Sequence, residues 1–213
     1  MNNTRSMKLY FAISALALVL VVGGCATTPK MERFTPPALG STFTFSRTNM
    51  GSFGSGTERA TWTAAERIWE GKRMTALGIP GGMALMNADG NNVAYLGPDD
   101  KPTVSFDPPI GWDYPLEVGK TSTKSYRLTV YATKQTVPFD WTYKIEAYED
   151  VTVPAGTFKA FKISSSDTLG QEQTGWFIPD LGVWGKRSDR RTAKYPSGPG
   201  TSEIELLSYT LAK

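Results

Sequence analysis

Few side chains in this 213-residue chain are equipped for chemistry. There is one thiol, Cys25, and no histidine. Without histidine, the Ser-His-Asp and Cys-His routes to an activated nucleophile are closed, as are nearly all zinc-site designs. Carboxylate, lysine, tyrosine or Ser-Lys chemistry remains. Glu203 and Glu205 stand two apart in an alternating stretch, so on a strand they share a face about 7 Å apart, between the separations of retaining and inverting glycosidase pairs. Asp107 and Asp113 bracket Pro108-Pro109-Ile110-Gly111-Trp112, a stiff loop around one aromatic ring. Both patterns have plainer readings. Alternation with Ile204 and Leu206 makes the glutamates the wet side of a half-buried strand, and a Pro-Pro-Trp loop braces a core. The plainer readings are preferred, so no catalytic, metal-binding or cofactor-binding residue is assigned and no cofactor is expected.

Cys25 has a more definite context. Arg5 and Lys8 precede an apolar span from Leu9 to Val22, which ends in Gly23-Gly24-Cys25. Charge, apolar run and small residues in that order form a secretory leader. The run is too short for the roughly 20 apolar residues of a membrane-spanning helix. Val22-Gly23-Gly24-Cys25 resembles the lipobox of bacterial lipoproteins. That resemblance implies cleavage before Cys25, a thioether-linked diacylglycerol on its sulfur and acylation of its amine. Two or more acyl chains hold a protein stably on a bilayer where one does not. Ala26, in place of the aspartate that retains enteric lipoproteins at the inner membrane, implies the outer membrane, with the protein facing the periplasm. The expected membrane partner is therefore the bilayer itself, reached through the lipidated N-terminus.

Composition narrows the remaining classes. Removing residues 1–24 takes away Arg5 and Lys8, leaving 21 basic against 20 acidic side chains. A nucleic-acid partner calls for a strong basic excess, so none is expected. The 189 residues from Cys25 onward suffice for one domain with a real core. All six tryptophans lie in that part.

The element pattern is that of sheets. Residues 25–40 contain Pro29, Pro36 and Pro37 without apolar periodicity and read as a lipidated tether; the β domain is placed at 41–213. Thr42-Phe43-Thr44-Phe45-Ser46 alternates, and Gly51-Ser52-Phe53-Gly54-Ser55-Gly56 breaks the chain before Thr57–Thr63 resumes. That Gly/Ser loop lacks a following Gly-Lys-Ser/Thr, and Gly119-Lys120-Thr121 has Tyr114 where a phosphate loop needs glycine, so nucleotide binding is rejected. Phe139, Trp141, Tyr143, Ile145 and Ala147 share one face of the clearest strand, and Tyr126, Leu128 and Val130 repeat the pattern. Val153-Pro154-Ala155-Gly156 and Pro179-Asp180-Leu181-Gly182 read as turns, with proline presetting one dihedral and glycine accepting the left-handed position. Apolar residues on both faces of Thr157–Ser164 predict a doubly covered strand. In Glu203–Leu211 the apolar parity switches, which predicts a bulge near Leu206-Leu207. Ala64–Leu77 fits either a helix or a strand, turn and strand. The fold expected is mainly β: a single domain of antiparallel strands, roughly ten by spacing, forming a curved sheet, open barrel or sandwich.

Two further stretches invite functional readings. Lys186, Arg187, Arg190, Arg191 and Lys194 form a basic run able to touch lipid phosphates or anionic glycans, and its plainer reading is a solvated hairpin loop. Met83-Ala84-Leu85-Met86 offers soft groups for an apolar cavity or for ordinary core filling. Finally, Tyr148 to Ile163 with its Val-Pro-Ala-Gly-Thr-Phe hairpin, Trp176 to Gly182, and Pro115-Leu116-Glu117-Val118-Gly119-Lys120 resemble a set of uncharacterised bacterial envelope proteins. The resemblance implies a curved antiparallel sheet loosely similar to the open barrels of lipoprotein-localisation carriers, and it supplies no catalytic residue. The function expected is a lipid-anchored, non-catalytic envelope lipoprotein of unspecified role, whose curved sheet either packs on itself or holds an apolar ligand such as an acyl chain. The alternatives are a partner-binding module of an outer-membrane assembly and, below it, a carboxylate-based cell-wall glycan hydrolase.

Overall fold

A computed structural model describes residues 29–79 and 82–213; the stretch read from sequence as leader and lipobox, with Cys25, lies outside the described residues. The chain forms fourteen strands and no helix among those residues: β1 (Lys30–Met31), β2 (Thr42–Gly51), β3 (Gly56–Trp69), β4 (Lys72–Ile79), β5 (Gly82–Met86), β6 (Asn92–Leu96), β7 (Pro102–Ile110), β8 (Leu116–Glu117), β9 (Thr121–Val130), β10 (Gln135–Val153), β11 (Gly156–Asp167), β12 (Gln171–Ile178), β13 (Val183–Arg191) and β14 (Gly200–Thr210). Twelve of them close into one antiparallel barrel in the order β10-β11-β12-β13-β14-β2-β3-β4-β5-β6-β7-β9, with β9 returning to β10. Closure removes both sheet edges. Eight strands leave an interior just wide enough for side chains, so twelve leave room for a lumen.

The alternating segments fall where their period demands. Phe43 and Phe45 are fully buried on β2, and Tyr126, Phe139, Tyr143 and Ile145 are buried on β9 and β10. The ambiguous Ala64–Leu77 stretch is a hairpin: Glu70 and Gly71 have φ of 48° and 77°, the left-handed pair of a two-residue turn matched to strand twist. On β11, Ala160 and Phe161, successive residues pointing to opposite faces, are both buried, as double covering requires. A bulge at Glu146 reverses the parity of β10, so Tyr148 rather than Ala147 stands opposite Phe161, their ring centroids 4.7 Å apart. The bulge expected on β14 is present at Leu207, where the register steps from Leu206 opposite Phe45 to Ser208 opposite Thr44. Beyond it, Tyr209 lies opposite Phe43 but stays 39% exposed, because the barrel ends there.

Residues 30–37, inside the stretch read from sequence as tether, are packed on the barrel. Lys30 and Met31 pair with Glu117 and Leu116, and Phe34, 7% exposed, tilts against Phe177 at 6.5 Å. The segment also passes over the Pro179–Gly182 turn. A Cβ on Gly182, whose φ is 66°, would stand 2.7 Å from the Thr35 carbonyl oxygen. Local sequence hides this docking because three prolines and an isolated aromatic residue leave no period to read.

The basic run Lys186 to Lys194 is likewise not a solvated loop over most of its length. It continues β13 as far as Arg191, with alternate side chains sent into the lumen and out to solvent.

Candidate lumenal binding site

The barrel encloses a cavity of about 540 Å³ that extends from Phe34 at one end to Arg191 and Tyr195 at the other. This lies within the 300–1,000 Å³ usual for a small-molecule site. One stretch of its wall is aromatic: Trp62, Phe106, Trp112, Phe139, Trp141, Phe177 and Trp184 all face it. Trp112 meets Phe177 and Trp184 edge-on at 4.9 and 5.3 Å, and Phe177 meets Trp184 at 5.9 Å. Edge-to-face contacts of this kind hold rings in fixed orientation. Ala84 and Met86 of the methionine-bearing stretch also line the cavity, whereas Leu85 and Met83 belong to a second apolar cluster, with Met74, Ala76 and Leu96, on the opposite face of the same strands.

Backbone geometry sets what β13 presents. The register between β12 and β13 steps across Gly185, so Trp184 pairs with Phe177, Lys186 with Trp176 and Arg187 with Gly175. Simple alternation would put Trp184 and Arg187 on opposite faces. The extra residue puts both into the lumen. Lys186 then lies outside, its ammonium 4.4 Å from the Trp176 centroid, and Arg190 pairs with Glu172. Gly175 supplies the space: a Cβ there would stand 2.6 Å from the Trp184 ring and 3.0 Å from Arg187 Cγ.

Charged side chains stand among these rings, and the Arg187 guanidinium carbon lies 5.9 Å from the Trp184 centroid. Arg187 Nε donates to Asp189 Oδ2 at 2.9 Å, and Asp189 is 3% exposed. Across the β13–β14–β2 ladder, Ile204 stands opposite Arg187 on one side and Arg47 on the other, so the two arginines flank one apolar residue about 10 Å apart at the backbone, two strand spacings. Arg47 Nε reaches Ser202 Oγ at 3.4 Å. Tyr95 comes in from β6; burial raises its phenol above the ordinary value, Arg187 opposes that rise and Asp189 adds to it. Burial likewise lifts the Asp167 carboxyl, against backbone donors that include Gln171 N at 2.9 Å.

At the mouth, Arg191 joins two loops. Its guanidinium carbon lies 3.8 Å from the Phe53 centroid and 4.4 Å from that of Tyr195. Arg191 Nη1 donates to the Ser52 carbonyl at 2.9 Å, while Nε is buried without an acceptor. The Gly/Ser loop 51–56 therefore has a structural duty, bringing Phe53 over the lumen.

The four carboxylates weighed from sequence are not brought together. Glu203 and Glu205 lie on the outer face of β14, alternating with the buried Ile204 and Leu206. Asp107, within β7, makes an exposed ion pair with Arg127 at 2.5 Å. Strand β7 is six strands from β14 in either direction round the barrel, hence on the opposite side. Asp113 braces the Trp112 loop: it pairs with Lys124, accepts from Ser122 Oγ at 3.3 Å, and its N–H donates to Tyr143 Oη at 3.0 Å. Among the described residues no cluster of three or more metal-ligating side chains occurs, and no helix is long and apolar enough to cross a membrane.

The lumenal arginines were the part sequence reasoning missed. The run 186–194 was visible, but the sorting of its side chains depends on a bulge. Arg47 carried no signal at all.

The sequence matches no known protein family and no curated protein. Solved structures to which the chain shows similarity include a candidate lipoprotein from Parabacteroides distasonis (TM-score 0.44, 11% identity, 84% of this chain and 99% of the other). A candidate exported protein with a YmcC-like fold from Bacteroides fragilis gives a TM-score of 0.46 at 14% identity, covering 84% and 99% of the two chains. The hypothetical lipoprotein YmcC from Escherichia coli gives 0.44 at 12% identity, covering 83% and 87%.

Proposed function

We propose that this chain is a lipid-anchored, non-catalytic envelope lipoprotein whose barrel holds an apolar ligand, such as an acyl chain, in its lumen. The observation that carries this reading is the cavity of about 540 Å³ walled by aromatic side chains. Interiors normally pack to crystal-like density, and voids are few. A lumen of this size lined by mutually braced rings is a binding surface, since leaving it empty forfeits the contacts that filling it would give. The lipobox resemblance at Val22-Gly23-Gly24-Cys25 supports the anchor, with the outer membrane as its destination and the periplasm as the side it faces.

Two measurements test the reading. The acylated protein, purified from membranes and washed free of bulk lipid, is expected to yield a co-purifying amphiphile near one per chain on solvent extraction and mass spectrometry. Recovery of protein with nothing bound, and no uptake of an added apolar fluorophore, removes the ligand half. For the address, Cys25→Ser is expected to shift the protein from the membrane to the soluble fraction, and an unchanged membrane fraction removes the anchor half.

A further inference from the structure

The lumen sets cationic side chains among its aromatic rings, and that combination defines a ligand more narrowly than an apolar wall does. Three arginines, Arg47, Arg187 and Arg191, line it together with two carboxylates, Asp189 and Asp167. Both carboxylates are already engaged, Asp189 by Arg187 Nε at 2.9 Å and Asp167 by the Gln171 backbone N–H. Among the described residues, no carboxylate lies within 4.0 Å of Arg47 or Arg191, and the one side-chain hydrogen bond of Arg187 runs from its Nε, its guanidinium carbon lying 5.9 Å from the Trp184 centroid. The terminal nitrogens of Arg47 and Arg187 therefore reach the lumen with their donors unspent. The buried Arg191 Nε is also without an acceptor. The Arg187 side chain is 27% exposed, so such donors are wetted in the lumen, and charge-assisted bonds to an incoming anion are stronger than the neutral bonds they replace.

We propose that Arg47 and Arg187 form the headgroup site of a single-chain amphiphile with an anionic head, a carboxylate or a phosphate monoester, whose tail lies against the lumenal aromatic rings. The assignment rests on the reading of the lumen as an apolar-ligand site and adds the charge of the ligand to it. Arg47 and Arg187 hold the head from either side of Ile204. Tyr95 offers a further hydroxyl donor from across the barrel. Trp62, Trp112, Trp141 and Trp184 enclose the tail. A neutral diacyl lipid fits poorly, because its uncharged head leaves the arginines unpaired and its second tail competes for the same wall.

The test uses the full acylated protein in nanodiscs of zwitterionic phosphatidylcholine, with empty discs as blank. A neutral apolar fluorophore, N-phenyl-1-naphthylamine, is loaded and then displaced at pH 8.5 by dodecanoate, dodecyl phosphate or methyl dodecanoate. At least one anionic competitor is expected to act at a concentration roughly tenfold below that of the ester, as one charge-assisted bond allows. Stronger displacement by the phosphate points to a phospholipid-derived ligand, and stronger displacement by the carboxylate to a free fatty acid. Arg47→Gln is the informative variant. Arg47 is not part of the buried ion pair, so its loss should leave the fold intact while reducing the preference for anion over ester to below about threefold; Arg47→Lys should restore part of it. Arg187→Gln strands Asp189 and risks unfolding, so it is the secondary variant. Equal displacement by acids and ester overturns the headgroup site while the lumenal reading stands. Probe fluorescence no higher than in empty discs overturns the lumenal reading, and this one with it.

Discussion

Arg187 and Asp189 lie two residues apart on one strand and form an ion pair inside the barrel, Nε to Oδ2 at 2.9 Å, with the carboxylate side chain only 4% exposed. Neighbours i and i+2 on a strand point the same way, so the pair is a local consequence of β13 facing the lumen. Breaking a buried pair leaves an uncompensated charge. Asp189→Ala is expected to destabilise the protein by roughly 3 kcal/mol, the low end of the usual range because Arg187 keeps access to the lumen. Urea unfolding with an unchanged m-value is the check, and a midpoint equal to wild type refutes it.

Gly182→Ala tests whether residues 30–37 belong to the fold. The substitution forces a side chain into a left-handed conformation and against the Thr35 carbonyl oxygen. Expected is undocking of the segment with a loss of about 1–3 kcal/mol, read as faster proteolysis around Arg33 and increased exposure of Phe34. Unaltered cleavage there refutes the docking.

Alkaline pH should act through buried phenols. Tyr126 is pushed up to about 12, chiefly by burial, and Tyr95, Tyr114 and Tyr143 are also raised, with burial the largest cause in each. In the unfolded chain these groups ionise near 10. Below that value both states hold the proton and stability is flat. Above it the unfolded state loses protons that the native state keeps, so stability falls as pH climbs from about 10 towards 12. Phenolate absorbance should show this set ionising only together with unfolding; a smooth titration at 10 with the fold intact contradicts the assignment.

Arg191 is the pin of the mouth. Arg191→Ala removes two ring contacts and the bond to the Ser52 carbonyl, and should cost roughly 1–2 kcal/mol. Loops 51–56 and 192–199 should exchange amide hydrogens faster while β11 and β12 keep their protection. Uniform protection across both loops would show that the contacts hold nothing in place.

Gly175→Ala should disturb the tryptophan cluster rather than the turn chemistry. Its Cβ would meet the Trp184 ring at 2.6 Å, so either the ring leaves the lumen or the strands part, at about 1–3 kcal/mol. A shift in tryptophan emission, partly reversed by adding Trp184→Ala, is the expected signature, and an unshifted spectrum speaks against close packing at that position.

Much of the barrel is written locally. The alternation of Phe43 with Phe45, and of Phe139 through Ile145, named the buried faces correctly because period two needs no knowledge of the partner strand. Both proline-glycine turns, and the bulge at Leu207, were legible for the same reason: each is decided within a few residues. The docked stretch 30–37 was not, because Phe34 finds its partner in Phe177 across the whole chain. Strand number was undercounted, since β4 to β6 are short and covered on both faces, which erases alternation.

By itself, then, the amino-acid order determined an all-β chain, its turns and most of its inward residues. Closure and the gathering of arginines in the lumen were decided only in three dimensions. Arg47 and Arg187 become neighbours because β14, from the far end of the chain, inserts between β2 and β13. Which half of the basic run faces inward depends on a single extra residue at Gly185. A one-residue register step reverses every side chain beyond it, and such a step is fixed by the packing of Gly185 against Ile178 and Val151, not by the residues whose direction it sets.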